Sequence, residues 1–356
     1  MCYKVYNWLK WIVAFWFLAS SASFAQSTIN PNGLVKWMTI QEAVAANEKA
    51  PKPILIDFYT DWCGWCKHMM KTTYSDPDLA GYINNQFYPV KFNAEGKDTF
   101  TFAGKTYKPT SPEPKTAHEF AIEKLGGKLT YPSTLFLNGY IPAENRFALN
   151  LLAPGYLDRN AIEPMVVFAV ENVYRNSGFE EFKQGFETTF RDSTLDKRLE
   201  KLSWQSPADA FRATPVQQTK TLVYIQTSWC VSCKVMQRSS FIDSTVFDYA
   251  NRKFRMISFD AELRDSIVFQ GRTFINPRTP SSPFHQLAVA LAKNNFILPT
   301  LAILDENNQL IDAIPSYLSP TALSKILPYF GNDIYKKQSW PDYINGKPIQ
   351  TEQNKK

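Results

Sequence analysis

One arrangement occurs twice in this chain and limits what it can fold into. An apolar run of strand length, Ile54-Leu55-Ile56-Asp57-Phe58-Tyr59, leads into Trp62-Cys63-Gly64-Trp65-Cys66-Lys67, and a helical pattern follows. The same order returns as Thr221-Leu222-Val223-Tyr224-Ile225-Gln226 leading into Trp229-Cys230-Val231-Ser232-Cys233-Lys234. A strand feeding a helix that opens on Cys-x-x-Cys, present in duplicate, makes dithiol redox chemistry the first hypothesis.

The repetition reaches well beyond the cysteines. An offset of 167 positions carries Cys63 onto Cys230, Trp37 onto Trp204, Asp76 onto Asp243, His118 onto His285 and Pro132 onto Pro299. The register holds through loops as well as apolar runs, from about residue 36 to residue 137. It resumes at Tyr156 against Tyr317, now offset by 161, which places a longer hairpin loop near 138–150 of the first copy. Such a period is far too long for a solenoid repeat, so each copy is expected to fold as its own unit.

With 356 residues the chain can bury two ordinary cores. A composition of 44% hydrophobic and 15% aromatic residues is globular, and a net charge of +6 calls for neither nucleic acid nor a membrane surface. Lys4 and Lys10 precede the apolar run 11–19, and small residues lead to Ala25, as in a signal peptide cleaved before Gln26. The run is too short to span a bilayer, so export without stable membrane insertion after cleavage is the expectation, to a periplasmic or secreted location. Beyond Cys2 the remaining four cysteines form two close pairs, with none left for a long-range bridge. The boundaries read as signal peptide 1–25, first unit 26–175, helical linker 176–202, second unit 203–331 and a loosely ordered polar tail 332–356.

Within a copy the elements run in a definite order. Strand 54–59 feeds the cysteine helix, and Asp76-Pro77 opens another helix, Pro being favoured in a first turn. Strand 87–93 follows, then an insert over 95–115, the helix 116–125, strand 133–137 with its hairpin partner, and a closing helix. Parallel strands across a helix, followed by an antiparallel hairpin, give an α/β unit: a mixed central sheet flanked by helices.

This order, with Trp-Cys-x-x-Cys-Lys after the first long strand and a lone Pro before a hairpin strand, resembles thioredoxin. Trp229-Cys230-Val231-Ser232-Cys233-Lys234, and Ser75-Asp76-Pro77 after the first motif, are similar to the C-terminal thioredoxin-like domain of the periplasmic electron-relay reductase. The resemblance covers nearly all of 36–175 and 203–330 and implies two thioredoxin-like domains. It implies attacking sulfurs at Cys63 and Cys230, resolving sulfurs at Cys66 and Cys233, and cis-prolines at Pro132 and Pro299, preceded by Tyr131 and Leu298. Asp57 stands where the family keeps a buried acid that moves the resolving thiol's proton, whereas the second copy has Tyr224 there. The first unit is accordingly expected to be the more active.

The chemistry needs this spacing. A sulfur at a helix N-terminus faces the positive end of the macrodipole, which lowers its pKa towards about 3.5–7.5. Its thiolate attacks a substrate disulfide, and a second thiol one turn on resolves the mixed disulfide. The function implied is thiol–disulfide exchange on protein disulfides as a reductase or relay, with a redox partner protein and no cofactor. An isomerase or oxidant, and a non-catalytic binding module, remain alternatives, the last especially for the second unit. Half of a zinc site is a further alternative for each pair, although no nearby His completes one. Trp62, Trp65 and Trp229 are candidate substrate contacts beside Tyr131, Pro132, Leu298 and Pro299, or else Trp62 and Trp229 form a packing lid. His118 and His285 are read as helix caps packed on the inserts, or as groups near the site. The insert is expected to form a hairpin overhanging the dithiol.

Overall fold

A computed structural model of the chain describes residues 33–192, 197–212, 219–293 and 295–348, so the expected leader 1–25 lies outside the described residues. The first copy runs α1 (Ile40–Lys49), β1 (Ile54–Tyr59), α2 (Gly64–Lys71), α3 (Pro77–Gln86), β2 (Tyr88–Asn93), β3 (Phe100–Phe102) and β4 (Lys105–Tyr107). It continues with α4 (Glu119–Lys124), β5 (Ser133–Ile141), β6 (Arg146–Pro154), α5 (Arg159–Val170) and α6 (Phe179–Phe190). The second copy runs β7 (Trp204–Gln205), α7 (Pro207–Arg212), β8 (Lys220–Gln226), α8 (Val231–Val235), α9 (Ser244–Lys253), β9 (Phe254–Asp260), β10 (Ile267–Phe269) and β11 (Arg272–Phe274). It closes with α10 (Gln286–Leu291), β12 (Thr300–Leu304), β13 (Leu310–Pro315), α11 (Pro320–Gly331) and α12 (Trp340–Ile344).

Local chemistry sets the helix starts. Thr39 and Glu42 close a capping box on α1, and Asp76 caps α3 with Pro77 in its first turn. The sheets are mixed, in the orders β2-β1-β5-β6 and β13-β12-β8-β9-β7. β1 lies parallel to β2 and antiparallel to β5, and β8 stands likewise to β9 and β12. The repeat is kept at the level of register, since Ile56 pairs with Val90 and Val223 with Ile257. Because β1 and β2 are parallel, both leave the sheet at one edge, where α/β proteins assemble their sites.

Three expectations change. The extra residues of the first copy's hairpin extend its strands rather than forming a long loop: β5 and β6 pair as far as Ile141 and Arg146, with Tyr140 on Phe147 at 5.1 Å. The insert does form a hairpin, β3–β4, turning through Ala103 and Gly104 at positive φ, but it does not overhang the dithiol. Phe100, Phe102 and Tyr107 are buried against Phe120 of α4, and the tip borders a cavity with Pro51–Ile54 at the opposite end of β1 from Cys63. Three aromatics of the hairpin bury more apolar area on that helix than they could over an open groove. Finally, the end read as a loose tail carries a 3-10 turn (Ile334–Lys336) and α12.

That end shows how far the repeat extends. At the 161 offset Asn172 and Asp333 both adopt positive φ, and a 3-10 turn follows each. Phe179 and Phe182 then pack on Phe168 at 5.4 and 5.8 Å, as Trp340 and Tyr343 pack on Tyr329, each at 5.1 Å. The linker helix is therefore the first copy's own C-terminal extension. It continues to Phe190, whereas α12 stops at Ile344.

His118 and His285 fill matched structural places. Each is the N-cap of its helix, with Nδ1 accepting from the amide of Phe120 or Leu287 and Nε2 meeting the carbonyl of Asp98 or Asp265. Phe100 stacks on His118 at 5.3 Å. Phe100→Ala should lower stability by about 3–5 kcal/mol in denaturant titrations, while Cys63 of the folded, reduced protein alkylates at an unchanged rate. A slowed or accelerated alkylation would place the hairpin at the site after all.

Candidate redox sites

Both cysteine pairs lie at the sheet edge where the parallel strands end, and both are closed as disulfides, with S–S distances of 2.02 Å for Cys63–Cys66 and 2.01 Å for Cys230–Cys233. In each, the first sulfur caps the helix it opens: Cys63 Sγ accepts the amide of Cys66 at 3.0 Å, and Cys230 Sγ that of Cys233 at 3.1 Å. The Tyr131–Pro132 and Leu298–Pro299 bonds are cis. The carbonyl of Pro132 accepts from Gly155 at 2.8 Å, and that of Pro299 from Ser316 at 2.7 Å. Among the described residues no group of three or more His, Cys, Asp or Glu side chains is placed to hold a metal ion.

Around the first pair the surface is open and aromatic. Trp62 and Trp65, flanking Cys63, are 59% and 62% exposed. Trp62 reaches Tyr131 at 6.1 Å, ring edge to face, and its Nε1 donates to Glu95 at 2.9 Å. The structure thus brings Trp62 and Tyr131 together beside the cis-proline. Trp65 instead joins His68 and Tyr156, with ring centroids 5.3–5.5 Å apart. His68 and Tyr156 were not among the sequence-derived site residues. The Trp65–His68 spacing of one helical turn, beside an exposed position, was the available signal.

Beneath the surface lies Asp57, fully buried on β1. Its Oδ1 accepts from the Tyr74 hydroxyl at 3.4 Å, the same hydroxyl lies 3.4 Å from Thr134 Oγ1, and Oδ2 has no hydrogen-bond partner among the described residues. Burial pushes the carboxyl up to about 7, opposed in part by the Lys91 charge and the Tyr74 hydroxyl.

The second copy has lost this cluster as a whole. Asp57, Tyr74, Lys91 and Thr134 correspond to Tyr224, Phe241, Ser258 and Leu301. Tyr224 and Phe241 pack edge to face at 5.1 Å, and the Tyr224 hydroxyl donates to the Cys233 carbonyl at 2.7 Å. Above the pair the contrast is as large. Trp229 is 55% exposed, but Ser232, the counterpart of Trp65, is fully buried. Leu298 is partly buried against the core beside Pro299.

What covers the second pair is the end of the first copy. Glu171, just past α5, accepts the amides of Val231 at 3.0 Å and Ser232 at 2.6 Å, with Oε2 3.7 Å from Cys230 Sγ. Desolvation raises its carboxyl's pKa against those hydrogen bonds and the Lys234 charge. Ser316 Oγ donates to the Asn172 carbonyl at 2.8 Å, and Asn176 Nδ2 to that of Pro315 at 2.6 Å. α6 seals the side: Phe182 meets Tyr317 at 5.2 Å, and a Cβ on Gly185 would come within 2.8 Å of Ser239.

Family models match each copy. Residues 207–331 match the thioredoxin-like domain, and residues 17–111 match Thioredox_DsbH, described as a protein of unknown function, DUF255. The chain is a tandem thioredoxin-like protein. Curated relatives named thiol:disulfide interchange protein DsbD match a short stretch. The one from Vibrio vulnificus (strain CMCP6) is 33% identical over 69 residues, 19% of this chain and 12% of the relative. That from Photorhabdus laumondii is 28% identical over 71 residues, 20% of this chain and 12% of the relative. The matched stretch therefore spans about an eighth of these relatives. Among solved structures, a thioredoxin-fold protein from Helicobacter pylori is 15% identical, covering 46% of this chain and 89% of its own, with a TM-score of 0.29. The oxidised C-terminal domain of DsbD from Neisseria meningitidis is 19% identical, covering 34% of this chain and 89% of its own, with a TM-score of 0.22.

Asp57 also leaves a thermodynamic signature. Its folded pKa of about 7 lies above the ordinary 3.8, so folding takes up a proton between those values. Stability from this group is fully present below about pH 4 and is lost as pH rises through about 7. Asp57→Asn should match wild type near pH 4 and exceed it by roughly 2–5 kcal/mol at pH 8 in denaturant titrations of the oxidised protein. A difference independent of pH would mean that Asp57 is ionised throughout.

Proposed function

We propose that this tandem thioredoxin-like protein is an exported thiol–disulfide oxidoreductase, acting on protein disulfides as a reductase or relay, with the chemistry carried by the first unit. The observation behind this is the pairing, in that unit alone, of an exposed aromatic rim around Cys63 with a buried acid that titrates near neutrality. Reduced Cys63, at the head of α2, is favoured as a thiolate by the helix dipole and the Cys66 amide. It attacks a substrate disulfide, forming Cys63–S–S–R and releasing the other substrate sulfur as a thiolate that takes up a proton. The Cys66 thiol, its proton passing to ionised Asp57, then attacks Cys63 Sγ, closes the 63–66 disulfide and expels the second substrate sulfur as a thiolate, which takes up a proton from solvent as Asp57 returns its own. Two electrons have moved from the protein to the substrate, and a dithiol partner restores the reduced pair. Trp62, Tyr131 and Pro132 border the path a substrate sulfur must take, while Trp65, His68 and Tyr156 offer an apolar shelf beside it.

The second unit fits a different part. With Tyr224 in place of Asp57 and Ser232 buried in place of Trp65, its pair lacks the acid on the central strand and the aromatic shelf of the first, which favours a structural or binding role there. Export rests on the leader-like residues 1–25. Cys66→Ser should accumulate mixed disulfides through Cys63 when offered an oxidised protein, and Cys233→Ser should accumulate at least tenfold fewer through Cys230. Equal trapping at both would remove the division of labour; trapping at neither would leave a pure binding protein.

A further inference from the structure

The amides that head α8 are occupied, whereas among the described residues no carboxylate accepts those that head α2, and a Cβ added at Gly64, the counterpart of Val231, would meet nothing within 4 Å. We infer that Glu171 of the first unit is a positioning residue for the second pair, holding Cys230–Cys233 in the disulfide form by spending two helix-head amides on a carboxylate beside Cys230.

A dithiol pair is easy to reduce when its first sulfur can exist as a thiolate, because that form stabilises the reduced state. Amides at a helix head supply the stabilisation by pointing partial positive charge at the sulfur. At α8 the Glu171 oxygens accept the amides of Val231 and Ser232, and one of them sits 3.7 Å from Cys230 Sγ. A thiolate forming there would place two negative charges about 4 Å apart, in a setting closed by α6. In the reduced pair Cys230 therefore keeps its proton and is a poor nucleophile. The other titratable groups facing the carboxylate are Lys234, whose charge favours ionised Glu171, and the hydroxyls of Tyr82 and Tyr224, each held above its usual range by burial and, less, by the Glu171 charge. None of the three replaces the two amides.

The carboxylate is kept in place by neighbours of its own chain end. Asn172 and Asn176 tie the corner after α5 to Ser316 and Pro315, on the loop next to cis-Pro299. At the 161 offset Glu171 corresponds to Asn332, so the second copy's corner carries no matching charge. The device thus runs one way, from first unit to second.

The inference does not depend on the first pair being catalytic, and the experiment keeps the two apart. The full chain is equilibrated with dithiothreitol in its reduced and oxidised forms, quenched by differential alkylation, and each pair is read by peptide-resolved mass spectrometry. Each reduction is balanced: two electrons and two protons pass from dithiothreitol, which closes to its cyclic disulfide, to give two thiols. Glu171→Gln should shift the Cys230–Cys233 equilibrium towards reduction by about tenfold or more, ~30 mV for a two-electron couple, and speed Cys230 alkylation, with the Cys63–Cys66 midpoint unmoved. Glu171→Met removes the same charge at similar length should the glutamine variant not fold, and an unmoved first midpoint reports that the fold is kept. A second-pair equilibrium within twofold of wild type in these variants, or equal shifts at both pairs, would overturn the assignment.

Discussion

Everything in this molecule turns on which group owns the amides at the start of a helix. A chain that leaves a buried strand and opens a helix on cysteine places a polarisable sulfur against unpaired N–H groups, and the sulfur takes one of them. That interaction is the same in both copies, to within 0.1 Å (3.0 against 3.1 Å). The copies diverge only in what else is allowed near. In the first, the remaining approach is left to solvent and to exposed tryptophans. In the second, a carboxylate from outside the unit arrives first.

The layer beneath the sulfurs follows the same division, and its replacements are coupled by necessity. A buried carboxylate is tolerable when hydroxyls and a nearby cation lessen its desolvation. Tyr74, Thr134 and Lys91 stand in those places around Asp57. Without the acid, only one of the hydroxyls of Tyr74 and Thr134 could donate to the other, leaving a buried donor without an acceptor at a cost on the order of 1–3 kcal/mol. The second copy has phenylalanine and leucine at those two positions, and of its two new hydroxyls, on Tyr224 and half-buried Ser258, the fully buried one of Tyr224 is satisfied by the Cys233 carbonyl. The tyrosine therefore marks the loss of a whole polar cluster.

Much of this was readable from residues in order, because it is local. β1 runs over the apolar residues Ile54 to Tyr59, Asp76-Pro77 opens α3, and the two prolines expected to be cis are cis. What was not readable depends on which surfaces meet. The aromatics of β3–β4 would serve equally well over a groove or on α4; packing on Phe120 decides it. Glu171 looks like any charged residue at the end of a surface helix, and only the docking of one copy on the other makes it a partner of Cys230. The extension of the repeat into α6 and α12 was present as Phe179 and Phe182 against Trp340 and Tyr343, at the offset already found for Tyr156 and Tyr317. It hides because only the aromatic positions are kept.

That extension explains how a duplicated unit became asymmetric. The same turn and helix end each copy, anchored by two aromatics on the closing helix. In the second copy the helix stops once those two have packed. In the first it runs on past Phe182, and its continuation lies between the units: Phe186 and Phe190 border a cavity with Tyr82, Val166 and Val167 of the first, while Gly185 faces the second. A helix with an apolar stripe lowers its free energy by burying that stripe on every surface alongside it. Here it lies against Val235, Ser239 and Tyr317 of the next unit, so close that position 185 has no room for a side chain. Once that contact exists, the corner holding Glu171 is delivered to the second disulfide as a consequence of packing. The division between a dithiol rimmed by exposed tryptophans and one met by a carboxylate from the neighbouring unit thus follows from where one helix docks.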